Sequence, residues 1–216
     1  MRADQTVVTM PDMTPPAPLH FHFDFISPFG YFASLQVEAL AQRHGRTVEW
    51  HPMLLGVSVL KVMGLKPLLD TPLKGPYTER DVLRYAREHG LQMARAPSDP
   101  VMNPLPSARA QAWVRQHRPQ HAGALAQAIY RSYWCEGKDL SFADTLRALE
   151  LPAGLTGDEV ATAAASEEAS ALLKAEVNAA IEAGIFGSPT LVVDGEPFWG
   201  VDKLEQAERW LARGGW

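Results

Sequence analysis

Hydrophobic and polar residues alternate in the first apolar stretch of the chain, residues 19–25, with the sequence LHFHFDF. This period of two predicts a β-strand. Ser27 and Pro28 follow, a residue that caps helices and a proline that fits their first turn, so a helix is predicted from there to about Arg43. A second strand is predicted over residues 46–52. A chain that opens β-α-β favours a parallel, buried sheet.

Helical spacing dominates from about residue 53 to residue 183. Pro-rich breaks separate its amphipathic segments, and one long Ala-rich helix is predicted over about 157–183. Strand character returns in residues 189–195, and a turn at Asp194-Gly195 followed by EPFWG predicts a hairpin. The last segment, VDKLEQAERWLARGG, has the pattern of an amphipathic helix. The order is therefore β-α-β, a helical stretch, and β-β-α.

This order predicts an α/β protein with a thioredoxin-like fold and a large all-helical insertion. The thioredoxin-like domain comprises residues 18–52 and 184–216, and the inserted helical domain comprises residues 53–183. Residues 1–17 have no apolar period and are rich in Pro, Thr and Asp, which predicts a disordered leader.

Composition and charge narrow the function. The 216 residues are 46% hydrophobic and 21% charged, the net charge is −5 and the basic residues are scattered, so neither nucleic acid nor a membrane is an expected partner. No apolar run is long enough for a transmembrane helix. The single cysteine, Cys135, excludes an intramolecular disulfide and favours a reducing, cytoplasmic location. We interpret Cys135 as a small core residue.

Seven short motifs, taken in their order along the chain, identify a family resemblance. They are FDFISPFGYFAS, HPMLLG, LKGPY, NPLPSAR, YWCEGKDLSFADTL, GIFGSPTLVVDG and FWGVDKLE. Through them the sequence resembles the 2-hydroxychromene-2-carboxylate isomerases and the kappa-class glutathione transferases, relatives of the DsbA disulfide oxidoreductases, from about Leu19 to Leu211. The resemblance implies a DsbA-like thioredoxin fold and an enzyme of aromatic catabolism.

The resemblance also implies a reaction. Glutathione would be the cofactor, and 2-hydroxychromene-2-carboxylate or a similar aromatic carboxylate the substrate. The glutathione thiolate would add to the conjugated double bond, permit rotation and leave again, so that the reaction is an isomerisation. Two alternatives stay open: a kappa-type glutathione transferase or peroxidase, which consumes glutathione, and a non-enzymatic thioredoxin-fold binding module, which turns over neither substrate. A homodimer also stays open.

Residues 27–30, SPFG, stand where disulfide oxidoreductases of this fold carry Cys-x-x-Cys, so no redox chemistry is expected there. A hydroxyl at a helix N-terminus can stabilise an anion, and the resemblance implies that Ser27 is catalytic and binds the glutathione sulfur. The alternative is that Ser27 only caps the helix. Ser188-Pro189 is expected to be a cis peptide that leaves the Ser188 backbone free to pair with glutathione; the alternative is an ordinary trans proline that opens a strand.

Three more residues complete the implied glutathione contacts. Asp202 would accept the α-ammonium group of the γ-glutamyl unit, Val201 would contribute its backbone, and Lys74 would lie near the carboxylate end of the peptide. Asp202 is alternatively a helix cap, and Lys74 a solvated surface residue. Leu65 stands where the kappa pattern has an asparagine, so that amide contact is missing from this sequence.

Substrate contacts are predicted for Phe29, Trp199, Asn103 and Arg109. The two aromatic residues fall beside the implied site, and Arg109, like Lys74, is a candidate partner for the substrate carboxylate. Asn103 matches the family, although an asparagine before a proline is equally typical of a helix-entry turn.

The first strand also presents two histidines. His20 and His22 alternate and therefore share a face. Without a further His or Cys nearby they make a poor metal site, and no metal is predicted.

Overall fold

The structure is a computed structural model that describes residues 16–216. Its centre is a four-stranded sheet with the order β2-β1-β3-β4. The strands are β1 (Leu19–Phe23), β2 (Val48–Pro52), β3 (Thr190–Val193) and β4 (Glu196–Trp199). β1 pairs with β2 in parallel and with β3 antiparallel, so the predicted parallel opening is confirmed. The predicted leader, residues 1–17, lies outside the described residues except for its last two positions and stays a prediction.

Nine α-helices surround the sheet in the described part of the chain. They are α1 (Pro28–Ser34), α2 (Val37–Arg43), α3 (Lys74–Glu88), α4 (Leu105–His117), α5 (Ala122–Tyr130), α6 (Ala143–Arg147), α7 (Gly157–Ala165), α8 (Glu167–Glu182) and α9 (Leu204–Arg213). Two wider, π-helical turns follow β2 and α5, over Gly56–Val62 and Arg131–Cys135. Within residues 16–216, none of these helices combines the length and the apolar character needed to cross a bilayer.

Two predicted helices are each interrupted. The predicted helix from Pro28 to Arg43 divides after Ser34, where the N–H of Gln36 bonds to the Ala33 carbonyl at 3.0 Å and closes the turn early. The predicted helix over 157–183 was wrong as a single element. Ser166 adopts an extended conformation between α7 and α8, and its hydroxyl accepts the N–H of Ala169 at 3.0 Å. Ser166 thus caps a new helix instead of continuing the old one.

The hairpin between β3 and β4 follows the prediction. Asp194 and Gly195 both have positive φ, 51° and 90°, as a tight two-residue hairpin turn requires. Asp194 is also ion-paired with Arg46, and the guanidinium of Arg46 donates to the carbonyl of Ala17 at 2.6 Å. The turn is therefore fixed to the segments that precede β1 and β2.

The two faces of the sheet are packed differently. Phe21, Phe23 and Trp50 are buried on one face in the main core, which α1, α2, α5 and α9 cover. The alternating residues of β1 and β2, which include His20 and His51, point to the other face, where α8 packs through Ala180 beside Met53 and Ile185. The predicted domain boundaries stay a prediction, and α8 contacts the sheet directly although that prediction placed it in the insertion.

Candidate functional site

Ser27 lies where β1 leads into α1, and its side chain is held by two hydrogen bonds. It is the N-cap of α1, where its hydroxyl accepts the N–H of Gly30 at 3.0 Å. The same hydroxyl donates to the carbonyl oxygen of Ser188 at 3.0 Å. Ser27 is only 5% exposed. The predicted cap is therefore confirmed, and the structure also brings together the two serines that the sequence placed at one site.

Ser188 precedes β3 and contacts the end of β1 through its side chain as well. Its hydroxyl accepts the N–H of Asp24 at 2.9 Å. The Ser188–Pro189 peptide is cis, as predicted. The Ser188 carbonyl accepts the hydroxyl of Ser27 with one of its two lone pairs, so the expected pairing of the Ser188 backbone with a ligand stays a prediction.

Asp24 is a buried carboxylate next to this pair, and it was not predicted from the sequence as a site residue. It is 1% exposed, and its oxygens accept the N–H groups of Leu55 at 2.7 Å and Ile26 at 3.2 Å. Burial raises the pKa of Asp24 to about 6, although its backbone hydrogen bonds act in the opposite direction. The signal that could have identified it is an acidic residue within an aromatic strand sequence. A charged group is buried only where hydrogen-bond or ion-pair partners compensate for the loss of water.

Gly30 allows three elements to meet at the site. A Cβ at this position would lie 2.5 Å from the hydroxyl oxygen of Tyr130 and 2.8 Å from that of Ser188. Tyr130, from α5, donates to the carbonyl of Asp24 at 3.0 Å, and its complete burial raises its pKa well above the ordinary value. Trp134 donates to the next carbonyl along the chain, at 3.1 Å. The helical region after β2 therefore fixes the backbone that precedes Ser27.

Trp199 and Phe29, the two aromatic residues predicted to contact substrate, lie near Ser188 and Ser27 along the chain or in space, and their role in substrate binding stays a prediction. The indole of Trp199 packs on Gly187, where a Cβ would lie 2.3 Å from the indole nitrogen, and it is 52% exposed. The ring of Phe186 meets it edge-on at 4.8 Å between centroids. Phe29 is half-buried two residues after Ser27 and packs against Phe32. The pair formed by Phe186 and Trp199 is an exposed aromatic surface next to Ser188.

Asp202 and Val201 lie in a 3₁₀ turn between β4 and α9. Gly200 joins this turn to the site, because its N–H donates to the carbonyl of Pro189 at 2.9 Å. The side chain of Asp202 is 72% exposed and pairs with Lys203 at 3.2 Å, and Asp202 is the N-cap residue of neither the turn nor α9. Val201 is buried in the main core. Asp202 is thus an accessible carboxylate on a loop that is fixed to Pro189.

Three other predicted residues have no contact with Ser27 or Ser188 among the described hydrogen bonds. Lys74 is exposed at the start of α3, Arg109 is half-buried in α4, and Asn103 is exposed before α4. The side-chain oxygen of Asn103 accepts the N–H of Leu105 at 3.1 Å, which is the helix-entry turn named as its alternative. The roles assigned to these three residues stay predictions.

Cys135 ends the π-helical turn after α5. Its sulfur lies 3.1 Å from the hydroxyl of Tyr31, and it is half-buried against the main core. The burial of Tyr31 and its hydrogen bond to Cys135 raise the pKa of the phenol. Cys135 therefore contacts α1 through Tyr31 and lies at the edge of the main core. This agrees in part with its interpretation as a core residue.

The chemistry available at this site follows from what surrounds Ser27. Its described hydrogen bonds connect it to Gly30 and Ser188, and no described histidine or carboxylate hydrogen-bonds to its hydroxyl. Activation of a serine as a nucleophile requires an adjacent base. Ser27 is instead arranged as a hydroxyl that can redirect its proton from a carbonyl to a negatively charged atom of a ligand.

Comparison with known proteins gives a consistent result. A family model described as the DSBA-like thioredoxin domain matches residues 19–212. The sequence is 26% identical over 194 residues to 2-hydroxychromene-2-carboxylate isomerase from Sphingobium xenophagum, and the match covers 89% of this chain and 97% of the relative.

Two solved structures extend this result. A structure of 2-hydroxychromene-2-carboxylate isomerase has a TM-score of 0.74 and 25% identity, covering 90% of this chain and 94% of its own. The cytosolic disulfide reductase DsbM from Pseudomonas aeruginosa, described with GSH, has a TM-score of 0.60 and 20% identity, with 91% and 96% coverage. The DsbM similarity concerns the fold alone. Together the matches confirm the predicted DsbA-like thioredoxin fold.

Proposed function

This chain belongs to the DSBA-like thioredoxin domain family, and we propose that it is an isomerase that uses glutathione to act on 2-hydroxychromene-2-carboxylate or a similar aromatic carboxylate. Relatives that are 25–26% identical to this chain are named 2-hydroxychromene-2-carboxylate isomerase, which supports the isomerisation and the substrate class. The observation that carries the proposal is the pairing of Ser27 and Ser188. A hydroxyl without a described base beside it is suited to stabilise a sulfur anion that comes from a ligand.

The residues around Ser27 fit a tripeptide thiol. Ser188 offers its backbone next to the Ser27 hydroxyl, and Asp202 offers an exposed carboxylate for an ammonium group. Gly30 lets the hydroxyls of Tyr130 and Ser188 approach the start of α1 closely. The hydrogen bond between Gly200 and Pro189 holds these parts together. The DsbM structure was determined with GSH, so a protein with this fold accepts the tripeptide.

When bound, glutathione supplies a thiolate that can add reversibly to a conjugated double bond, so it is not consumed. The protein has three tasks in this proposal. Ser27 turns its hydroxyl proton from the Ser188 carbonyl to the sulfur and keeps the sulfur anionic. Asp202, and in the proposal Lys74, hold the ends of the tripeptide. Trp199 and Phe29 offer apolar surface to the aromatic substrate. Arg109 or Lys74 supplies the positive charge that pairs with the substrate carboxylate.

The test is an isomerisation assay with purified protein and 2-hydroxychromene-2-carboxylate, followed by ultraviolet absorbance with and without glutathione. The proposal expects turnover that requires glutathione and leaves its concentration unchanged. Turnover without glutathione would contradict the cofactor assignment. Loss of glutathione in proportion to product would favour the kappa-type transferase, and no turnover with either class of substrate would favour a binding module.

A second assay separates this function from the disulfide chemistry of related folds. Residues 27–30 contain no thiol, so the protein should not accelerate the reduction of insulin by a dithiol. Replacement of Cys135 by serine should leave isomerisation unchanged. A large loss of activity in Cys135→Ser would move the nucleophile from glutathione to the protein.

A further inference from the structure

The side of the sheet that faces α8 carries a group of side chains that the proposed function does not use. His20 from β1 and His51 from β2 line a cavity of about 510 Å³ that α8 borders, and Glu49 from β2 lies beside both histidines. Ser27 lies beyond the end of β1, so this group is separate from the site described above. From the sequence, only His20 and His22, which alternate on one strand, could be placed together on this face. The parallel pairing of β1 with β2 supplies the two additional residues.

Three ligand atoms converge in this group. Nδ1 of His20 lies 3.1 Å from Nε2 of His51 and 3.6 Å from Oε2 of Glu49, and these last two atoms lie 3.4 Å apart. A tetrahedral metal ion with ligand bonds of about 2.0–2.1 Å separates its ligands by about 3.3–3.4 Å. The three atoms therefore already form a triangle of the size that one ion requires, without movement of either strand.

The surrounding side chains orient this triangle as they do in metal proteins. Nδ1 of His51 lies 2.9 Å from Oε2 of Glu176 on α8. When that nitrogen donates to the carboxylate, Nε2 of the neutral ring presents its lone pair to the triangle. His20 is 41% exposed in its side chain, so its Nε2 can carry the ring proton in water and leave Nδ1 free. A carboxylate behind a histidine is the arrangement that fixes the tautomer of a metal ligand.

Arg115, from α4, is the feature that opposes a cation. It donates to Oε2 of Glu49 at 2.8 Å and lies 3.5 Å from Nε2 of His51. It also pairs with Oε1 of Glu176 at 2.6 Å, so Arg115 and Glu176 add no net charge. The remaining negative charge is that of Glu49, a ligand. The balance favours one divalent cation of moderate affinity rather than a tightly buried structural site.

The geometry points to a divalent transition-metal site formed by Nδ1 of His20, Nε2 of His51 and Oε2 of Glu49, with the fourth position open to the cavity. Two imidazoles and one carboxylate suit zinc and its neighbours better than magnesium or calcium, which prefer ligand sets of oxygen alone. Three protein ligands and one open position are the ligand set of zinc sites that bind water or a small molecule.

The test uses the untagged protein, treated with chelator and then titrated with Zn²⁺ by calorimetry. We expect one ion per chain, and in His20→Ala and Glu49→Gln a loss of affinity of at least about tenfold, because each removes one of three ligands. His117→Ala is the matched control, since His117 is also a partly exposed imidazole that pairs with a glutamate, Glu168, and it should bind as the wild type does. The two ligand variants guard against one of them failing to fold.

Two further measurements complete the test. Zn²⁺ should raise the melting temperature of the wild type and of the His117 variant but not of the ligand variants, because binding stabilises only the folded chain that has the site. Co²⁺ should give the strong visible bands of a tetrahedral site. The proposal is overturned if the wild type takes up no Zn²⁺, if both ligand variants bind as the wild type does, or if Co²⁺ gives only weak octahedral bands.

Discussion

The two faces of the central sheet differ although the same strands form both. On one face Phe21, Phe23 and Trp50 are dry and make edge-on and stacked ring contacts. On the other, His22 stacks on His51 at 4.7 Å beside charged groups and an open cavity. The period of two separates these environments residue by residue. The difference teaches that the first face stabilises the fold, while the second leaves side chains available for ligands.

The largest effect should come from truncation on the aromatic face. Phe23 contacts the rings of Phe25, Trp50 and Tyr130, so Phe23→Ala should lower the free energy of unfolding by about 3–5 kcal/mol. His22→Ala, one residue away on the other face, should cost less than half as much. Urea denaturation of both variants measures this. Equal losses would mean that the two faces do not differ in packing.

Asp24 directly follows β1, at the point where the chain leaves the sheet and its side chains no longer alternate between the two faces. Its titration gives the second prediction. The pKa of about 6 lies above the ordinary 3.8, so between these pH values the folded chain binds a proton that the unfolded chain releases. The free energy of unfolding should therefore fall as pH rises through this interval, by up to about 3 kcal/mol, and level off above about pH 6. The buried phenol of Tyr130 faces the same group and stays neutral throughout.

The measurement for Asp24 is urea denaturation at several values between pH 4 and pH 7. Asp24→Asn should remove this contribution to the pH dependence. Asp202→Asn, at an exposed carboxylate, should leave it in place. If the wild type and Asp24→Asn show the same pH dependence, Asp24 titrates at an ordinary pKa and its burial is compensated fully by its hydrogen bonds.

Substitution of Gly30 tests whether the site at the end of β1 is as closely packed as the aromatic face of the sheet. Gly30→Ala places a methyl group against the hydroxyls of Tyr130 and Ser188 and should cost about 1–3 kcal/mol of stability, with a loss of isomerisation. Gly56→Ala is the control, because a Cβ there meets no atom within 4 Å. Thermal unfolding and the activity assay compare them. A Gly30 variant as stable and active as the control would show that the site has spare room.

Ser27 gives the smallest expected effect and the one most specific to the proposed function. Ser27→Ala should raise the pKa of the bound thiol by about one unit, which corresponds to about 1.4 kcal/mol or a tenfold loss of rate at low pH. The loss should shrink as pH rises, because the thiol then ionises unaided. A pH–rate profile, with the thiolate followed by absorbance, measures this. An equal loss at every pH would leave Ser27 as a helix cap only.

The sequence predicted the parts of the fold that depend on local pattern. The alternation in residues 19–25, the Ser27 cap and the turn at Asp194 and Gly195 all follow from neighbours in the chain, and all are present. The break at Ser166 was missed because Ala-rich helices flank it on both sides. That serine precedes two glutamates, which is itself a helix-start signal.

The site was predictable where a family motif carried it and not where register decides. Ser27 and Ser188 meet as the resemblance implied. The approach of His51 to His20 depends on the register in which β2 pairs with β1. No local pattern in either strand predicts that register. The burial of Asp24 depends on the N–H of Leu55, which the chain reaches only after β2. Such long-range contacts lie outside what spacing can show.

The strand order has a consequence for synthesis on the ribosome. β1 lies inside the sheet, but its antiparallel neighbour begins only at Thr190, so one edge of β1 has no strand partner until the end of the chain emerges. At about 5–20 residues per second, the interval between the two strands lasts roughly 10 to 30 seconds. Throughout it an aromatic strand exposes free backbone groups, a template for aggregation. We expect nascent chains that are stalled before β3 to be bound by chaperones. Chains that have emerged from the ribosome beyond Trp199 should complete the sheet.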